Sequence, residues 1–101
     1  AAQEPAGMAS IDEAIQSYDM VVFSSSSCPY CRQALSALQE AGYTPKVVKN
    51  FDRRALSMRC GSTSVPKVFV KQMFIGGCND GGMGGTLPLL KSGKIQELMA
   101  R

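Results

Sequence analysis

Apolar residues fall along this chain in two rhythms. Met20-Val21-Val22-Phe23 is an unbroken apolar run, which predicts a strand buried on both faces. Val68-Phe69-Val70 and Met73-Phe74-Ile75 repeat that pattern on either side of Lys71-Gln72 and predict a hairpin, although the turn lacks the usual Asn-Gly signal. Val47-Val48 marks a further short strand. Between these runs the spacing changes to that of helices. Ala34, Leu35, Leu38 and Ala41 share one face of a helix over Arg32 to Ala41, with Pro29 suited to its first turn and Gly42 as its stop. Arg53 to Cys60 predicts a short helix closed by Gly61. Leu87 to Leu90 and Ile95 to Met99 predict two closing segments broken at Ser92-Gly93. Ile11, Ala14 and Ile15 give a first helix its apolar side, with Ser10 as N-cap and Glu13 as capping-box partner. The order α-β-α-β-α-β-β-α implies an α/β fold, a mixed sheet with helices on both faces. Residues 1–9 read as a flexible tail before a single domain over 10–101.

A chain of 101 residues with 45% apolar content can fill one core and not two. No apolar run approaches the roughly 20 residues that span a membrane, and no charged segment followed by an apolar one opens the chain. Residue 1 is Ala rather than Met, so a processed N-terminus is compatible with the sequence. The expectation is a cytoplasmic protein, or one of an organelle stroma or matrix if a leader was removed. A net charge of +3 is mild and dispersed; it suits small anions and argues against nucleic acid as a partner. Histidine is absent, which excludes His-activated nucleophiles and His-ligated metals.

The four cysteines change the picture most. Cys28-Pro29-Tyr30-Cys31 lies between the first predicted strand with its serine tract, Ser24 to Ser27, and the following helix. A free thiol titrates near 8.5, so only about 3% is thiolate at neutral pH. At the start of a helix the orphan backbone N–H groups and the positive end of the dipole favour the thiolate. Cys28 therefore reads as the attacking thiol. Cys31, one turn in and more sheltered, reads as the resolving one. Zinc is the alternative for a Cys-x-x-Cys pair. It needs four ligands, and Cys60 and Cys78 form no second such pair, so all four cysteines would have to converge. An inert structural disulfide fits poorly with the absence of a secretion signal.

Two further motifs accompany the pair. Thr63-Ser64-Val65-Pro66 directly precedes a strand. A cis Val65–Pro66 bond would turn the Val65 backbone outward to pair with a peptide-like substrate, but taken alone the motif reads as an ordinary trans proline opening a strand. Gly76-Gly77-Cys78-Asn79-Asp80 follows the second hairpin strand. Asn79 or Asp80 could cap a helix whose N–H groups bind a carboxylate, and Asp80 could accept from an ammonium group. Taken alone it reads as a plain turn.

In this order and spacing the three motifs, from about Ser10 to Met99, resemble the glutaredoxin family. Cys-Pro-Tyr-Cys matches its dithiol signature, unlike the Cys-Gly-Pro-Cys of thioredoxin or the Cys-Gly-Phe-Ser of monothiol members. Lys91-Ser92-Gly93-Lys94 in the closing helices is also family-like. The resemblance implies a thioredoxin-like fold, a four-stranded mixed sheet flanked by helices. It implies reduction of protein disulfides and glutathione mixed disulfides with glutathione as electron donor. Cys28 would be the nucleophile and Cys31 the resolving thiol. Tyr30, Ser64, Val65 and Pro66 would line the glutathione groove, with Val65 pairing to the cysteinyl backbone before a cis Pro66. Gly77, Cys78, Asn79 and Asp80 would hold the γ-glutamyl end through helix N-terminal N–H groups and the Asp80 carboxylate. No permanent cofactor or metal is implied. The partners are glutathione and glutathionylated or disulfide-containing proteins, with no nucleic acid or membrane, and the protein a monomer. The alternative within the family is a dimer sharing a [2Fe–2S] cluster through two Cys28 thiolates and two glutathiones.

Three positions depart from the family pattern. Ser25 stands where members often carry a Lys that lowers the thiol pKa and anchors a glutathione carboxylate; Arg53, Arg54 or Lys67 are its candidate substitutes. Gly81-Gly82-Met83-Gly84-Gly85 has the look of an insertion before the closing helices. The segment from Val48 to Gly61 is short, leaving room for a helix of about two turns. Cys60 and Cys78 read as packed or lightly exposed thiols, with a second redox pair as the sharper alternative.

Overall fold

The computed structural model describes residues 11–25, 28–61 and 64–100. The N-terminal tail, the Ser10 cap, Ser26, Ser27 and Thr63 lie outside the described residues. The elements are α1 (Ile11–Ser17), β1 (Met20–Phe23), α2 (Pro29–Glu40), β2 (Lys46–Val48), α3 (Arg53–Cys60), β3 (Lys67–Val70), β4 (Met73–Gly76), α4 (Thr86–Ser92) and α5 (Lys94–Met99). The strands form one sheet in the order β2-β1-β3-β4. β1 pairs parallel with β2 and antiparallel with β3, and β3 pairs antiparallel with β4. This is the four-stranded mixed sheet with flanking helices that the sequence implied.

The unbroken apolar runs follow from burial on both faces. In β1, Val21 and Phe23 join Ile11, Ile15, Phe51, Leu56 and Phe69 in one core, beneath α1 and α3. Met20 and Val22 point the other way and pack with Leu38, Val68, Val70, Leu89, Ile95 and Leu98, beneath α2, α4 and α5. Each β1 residue therefore has a core to enter, and no position in that strand is left for a solvent-facing polar side chain. Among the described residues no helix is long and apolar enough to cross a membrane.

Local chemistry sets the element ends. Asp52 caps α3, its carboxylate accepting from Arg54 N–H at 3.0 Å and Ala55 N–H at 3.3 Å. Gly61 closes the helix in the left-handed conformation, as the sequence led one to expect. The hairpin forms without Asn-Gly: Lys71 and Gln72 both take positive φ, 50° and 70°. Lys71 is tied down from outside the turn, its N–H donating to the Asp19 carbonyl at 2.7 Å and its ammonium lying 3.4 Å from the Asp19 carboxylate.

The chain is tightly packed at the end of β4. Gly76 has φ 124°, and a Cβ there would lie 2.5 Å from the Gly81 carbonyl oxygen and 2.7 Å from the Gly85 nitrogen. Both neighbours are backbone and cannot swing aside. Gly76→Ala is expected to cost about 2–4 kcal/mol of stability. Urea unfolding checks this; a midpoint within error of the wild type refutes it.

Candidate active site

Four segments meet at one end of the sheet: the N-terminus of α2, the end of α3, the Ser64–Lys67 loop leading into β3, and the turns after β4. Cys28 is the N-cap of α2, and Pro29 fills the first helical position. Its extended backbone aims its sulfur back over the helix end, where the Cys31 N–H donates to Sγ at 3.3 Å. No acidic side chain sits in the first turn to oppose a thiolate. The Cys28 thiol in turn donates to the Val65 carbonyl at 3.6 Å, which joins the α2 terminus to the proline loop. The Val65–Pro66 bond is cis. The motif taken alone pointed to trans; the family resemblance, which implied cis, was the better guide. The strand pattern around Pro66 carries no signal for the isomer, which explains the miss.

The two thiols differ in environment. Partial burial pushes the Cys28 pKa up, but the Cys31 thiol, the Cys31 and Tyr30 amide N–H groups and the Arg53 charge outweigh it, and the net shift is downward. Cys31 is 1% exposed. Burial raises its pKa, the hydrogen bond to Cys28 and the charge of Cys28 add to the rise, and hydrogen bonds from the Ser25 backbone and the Ser24 hydroxyl only partly offset it. Both are free thiols. A half-buried sulfur with a lowered pKa beside a fully buried one with a raised pKa suits attack by the first and resolution by the second.

A cavity of about 550 Å³ opens beside the pair. Tyr30, Ser64, Val65, Pro66, Gly77, Cys78, Asn79 and Asp80, the residues the motifs and resemblance had singled out, all line it. Cys60, Lys67, Phe74, Gly81 and Gly82 complete its wall. Lys67 is the cation that the sequence could not locate. It is 5% exposed, and its Nζ donates to the Ser64 hydroxyl at 2.9 Å. Burial lowers its pKa, while the nearby Cys60 and Asp80 act the other way. Its one warning in the sequence was a charge opening a strand that is otherwise wholly apolar. Arg53, at the start of α3 and 5.8 Å from the Phe51 ring centre, supplies the positive charge felt by Cys28.

The Gly76–Asp80 motif is the plain turn that it reads as alone, and the helix terminus that the resemblance implied there is corrected. Asn79 and Asp80 do not cap a helix. Residues 77–84 form turns, and α4 begins only at Thr86. Gly81, Gly82, Gly84 and Gly85 all have positive φ, a conformation no right-handed helix can contain. The glycine-rich segment therefore keeps the helix from starting before Thr86. Its first N–H groups are already engaged, Thr86 with the Gly77 carbonyl at 2.8 Å and Leu87 with that of Cys78 at 2.9 Å. The α4 terminus is thus turned onto the Gly77-Cys78 backbone, and the charged groups lining this side of the cavity are Asp80 and Lys67.

Cys78 is 4% exposed, and burial together with the charges of Cys28 and Asp80 raises its pKa. Cys60 is partly exposed on the cavity wall. Among the described residues no three cysteine or carboxylate side chains gather in a metal-holding group.

The family model described as glutaredoxin matches residues 20–75. Glutaredoxin-C4 of Arabidopsis thaliana is 32% identical over 96 residues, which cover 88% of this chain and 67% of that protein. The crystal structure of the holo form of glutaredoxin C1 from Populus tremula x tremuloides superposes with a TM-score of 0.76 at 28% identity, covering 87% of this chain and 89% of that one. The wheat glutaredoxin structure gives a TM-score of 0.75 at 34% identity, covering 87% and 85%. With the dithiol at the α2 terminus and the thioredoxin-like sheet behind it, the chain belongs to the glutaredoxin family of glutathione-dependent thiol–disulfide oxidoreductases.

Proposed function

We propose that Cys28 deglutathionylates proteins by attacking the glutathionyl sulfur of a mixed disulfide. The Cys28–glutathione bond forms as the mixed disulfide breaks, and the protein leaves as a thiolate that takes up a proton. A second glutathione then attacks the glutathionyl sulfur, releasing glutathione disulfide and restoring the Cys28 thiolate. With a protein disulfide, Cys28 forms a mixed disulfide with the protein, and Cys31 attacks it to give a Cys28–Cys31 disulfide that glutathione reduces. The observation carrying this reading is the Cys28 thiol at the N-cap of α2, hydrogen-bonded to the Val65 carbonyl beside a cavity lined by both Lys67 and Asp80.

In this reading the Val65 backbone pairs with the cysteinyl unit of glutathione, and Tyr30, Ser64, Pro66 and Gly77 shape the groove. The γ-glutamyl end is a zwitterion. Its ammonium meets the Asp80 carboxylate beside Cys78 and Asn79, and its carboxylate meets Lys67. Arg53 takes over the electrostatic task that Ser25 cannot perform. Glutathione is a co-substrate rather than a resident cofactor, and the protein works as a monomer in a reducing cytoplasm, stroma or matrix. Nothing specific in the site or the relatives favours the cluster-sharing dimer.

The direct test is turnover of a glutathionylated peptide with glutathione and its reductase; absence of turnover overturns the reading. Lys67→Gln keeps a donor for Ser64 but removes the charge. It is expected to raise KM for the mixed disulfide about tenfold, about 1.4 kcal/mol, with kcat nearly unchanged, because the lost contact is made equally before and during reaction. An unchanged KM would remove Lys67 from the site.

A further inference from the structure

The exchange reaction leaves Cys60 unused, yet its thiol stands on the wall of the same cavity. Four features bear on what it does there. The first is access. Attack on a disulfide needs a sulfur that the incoming disulfide can reach in line, and outside the Cys28–Cys31 pair Cys60 is partly exposed while Cys78 is 4% exposed. The second is the company it keeps. Cys60 shares the cavity with Val65, Lys67 and Asp80, a backbone and two opposite charges suited to a small zwitterionic peptide. The third is charge. The Lys67 ammonium and Arg59 both act on the Cys60 thiol in the direction that favours thiolate. The fourth is space. At about 550 Å³ the cavity falls within the range of small-molecule sites, so a tripeptide fixed to its wall takes up space that an incoming glutathionyl group would need.

We propose that Cys60 is a modification site for glutathione disulfide, and that a glutathionyl group on it occupies the groove and stops turnover. The proposal rests on the reading of this cavity as the glutathione site. The oxidant is the enzyme's own product. Cys60 gives its proton to solvent, and its thiolate attacks one sulfur of glutathione disulfide. The Cys60–glutathione bond forms as the disulfide bond breaks, and the departing glutathione thiolate takes up a proton. Cys60 is thereby oxidised and one half of the disulfide reduced. Glutathione reverses the step by attacking the same bond. Burial holds the Cys60 thiol above its ordinary pKa, so the capture is slow beside the chemistry of Cys28. It responds to glutathione disulfide that persists, not to the amount formed in a single cycle.

The reduced wild-type protein and Cys60→Ser are first assayed on a glutathionylated peptide. No wild-type turnover overturns the glutathione reading of the cavity, and this proposal with it. Each protein is then incubated with glutathione disulfide, desalted, mapped by mass spectrometry and assayed again against its own untreated rate. Oxidation of the Cys28–Cys31 pair affects both alike and cancels in the comparison. The expected result is a glutathionyl group on Cys60, a wild-type initial rate that falls in proportion to the fraction modified and recovers as glutathione acts, and a Cys60→Ser rate that does not fall. Turnover without an adduct on Cys60, an adduct without loss of rate, an equal loss in Cys60→Ser, or a Cys60–Cys78 disulfide in place of the adduct overturns the proposal while leaving the glutathione reading intact. Cys60→Ala provides the same comparison if the serine variant does not fold.

Discussion

Cys28→Ser is expected to lose turnover of glutathione mixed disulfides by about a thousandfold or more, a loss of about 4 kcal/mol in transition-state stabilisation. The substitution keeps the shape and the hydrogen bonding of the N-cap, since a hydroxyl can accept from the residue 31 N–H as Sγ does at 3.3 Å. Stability should therefore stay close to wild type. What disappears is the group that can be ionised at neutral pH. Full turnover in this variant would mean that another thiol carries the reaction. The wild-type protein allows a matching test by pH. The folded Cys28 pKa is lowered, so its alkylation rate should plateau at high pH and fall about tenfold per unit once the pH drops below that pKa, with a midpoint under the ordinary value of a free cysteine. A midpoint at or above that value would mean that the α2 terminus and Arg53 do not compensate for Ser25.

Much of this could be read from the chain. The apolar runs gave the strands because both faces of the sheet are covered, and Met20 to Phe23 has no polar position to spare. Cys28 at the α2 N-cap, Gly61 at the α3 terminus and the Lys71-Gln72 hairpin lie where local chemistry put them. The losses occurred where the outcome depends on distant contacts or on chain conformation. The proline isomer leaves no mark on the periodicity of its neighbours. Asn79-Asp80 form the plain turn that they read as alone, not the helix terminus that the resemblance implied, because four glycines at positive φ separate them from α4 at Thr86; the glycine run was visible, but not the path it takes. Lys67 and Cys60 are far from Asp80 in sequence, and only the packing of α3 and β3 against the turns after β4 brings them to one cavity.

Cys31 separates the two reactions of the enzyme. Cys31→Ser is expected to keep deglutathionylation within about threefold, because a second glutathione can resolve the Cys28 adduct without it. Reduction of protein disulfides should fall about a hundredfold or more, about 2.7 kcal/mol, since the mixed disulfide with a protein then lacks its internal resolving thiol. Equal loss of both activities would show that Cys31 acts mainly on Cys28 rather than as a resolving group. A second role, on the Cys28 pKa, can be measured apart. The Cys31 side chain is among the groups that pull the Cys28 pKa down, and serine retains a donor there while alanine does not. Cys31→Ala should therefore shift the Cys28 alkylation midpoint upward relative to Cys31→Ser. The residue 31 N–H, being backbone, remains in both variants and preserves part of the acidification. If the midpoints of the two variants coincide, the side-chain hydrogen bond contributes nothing, and the low pKa belongs to the helix N-terminus and Arg53 alone.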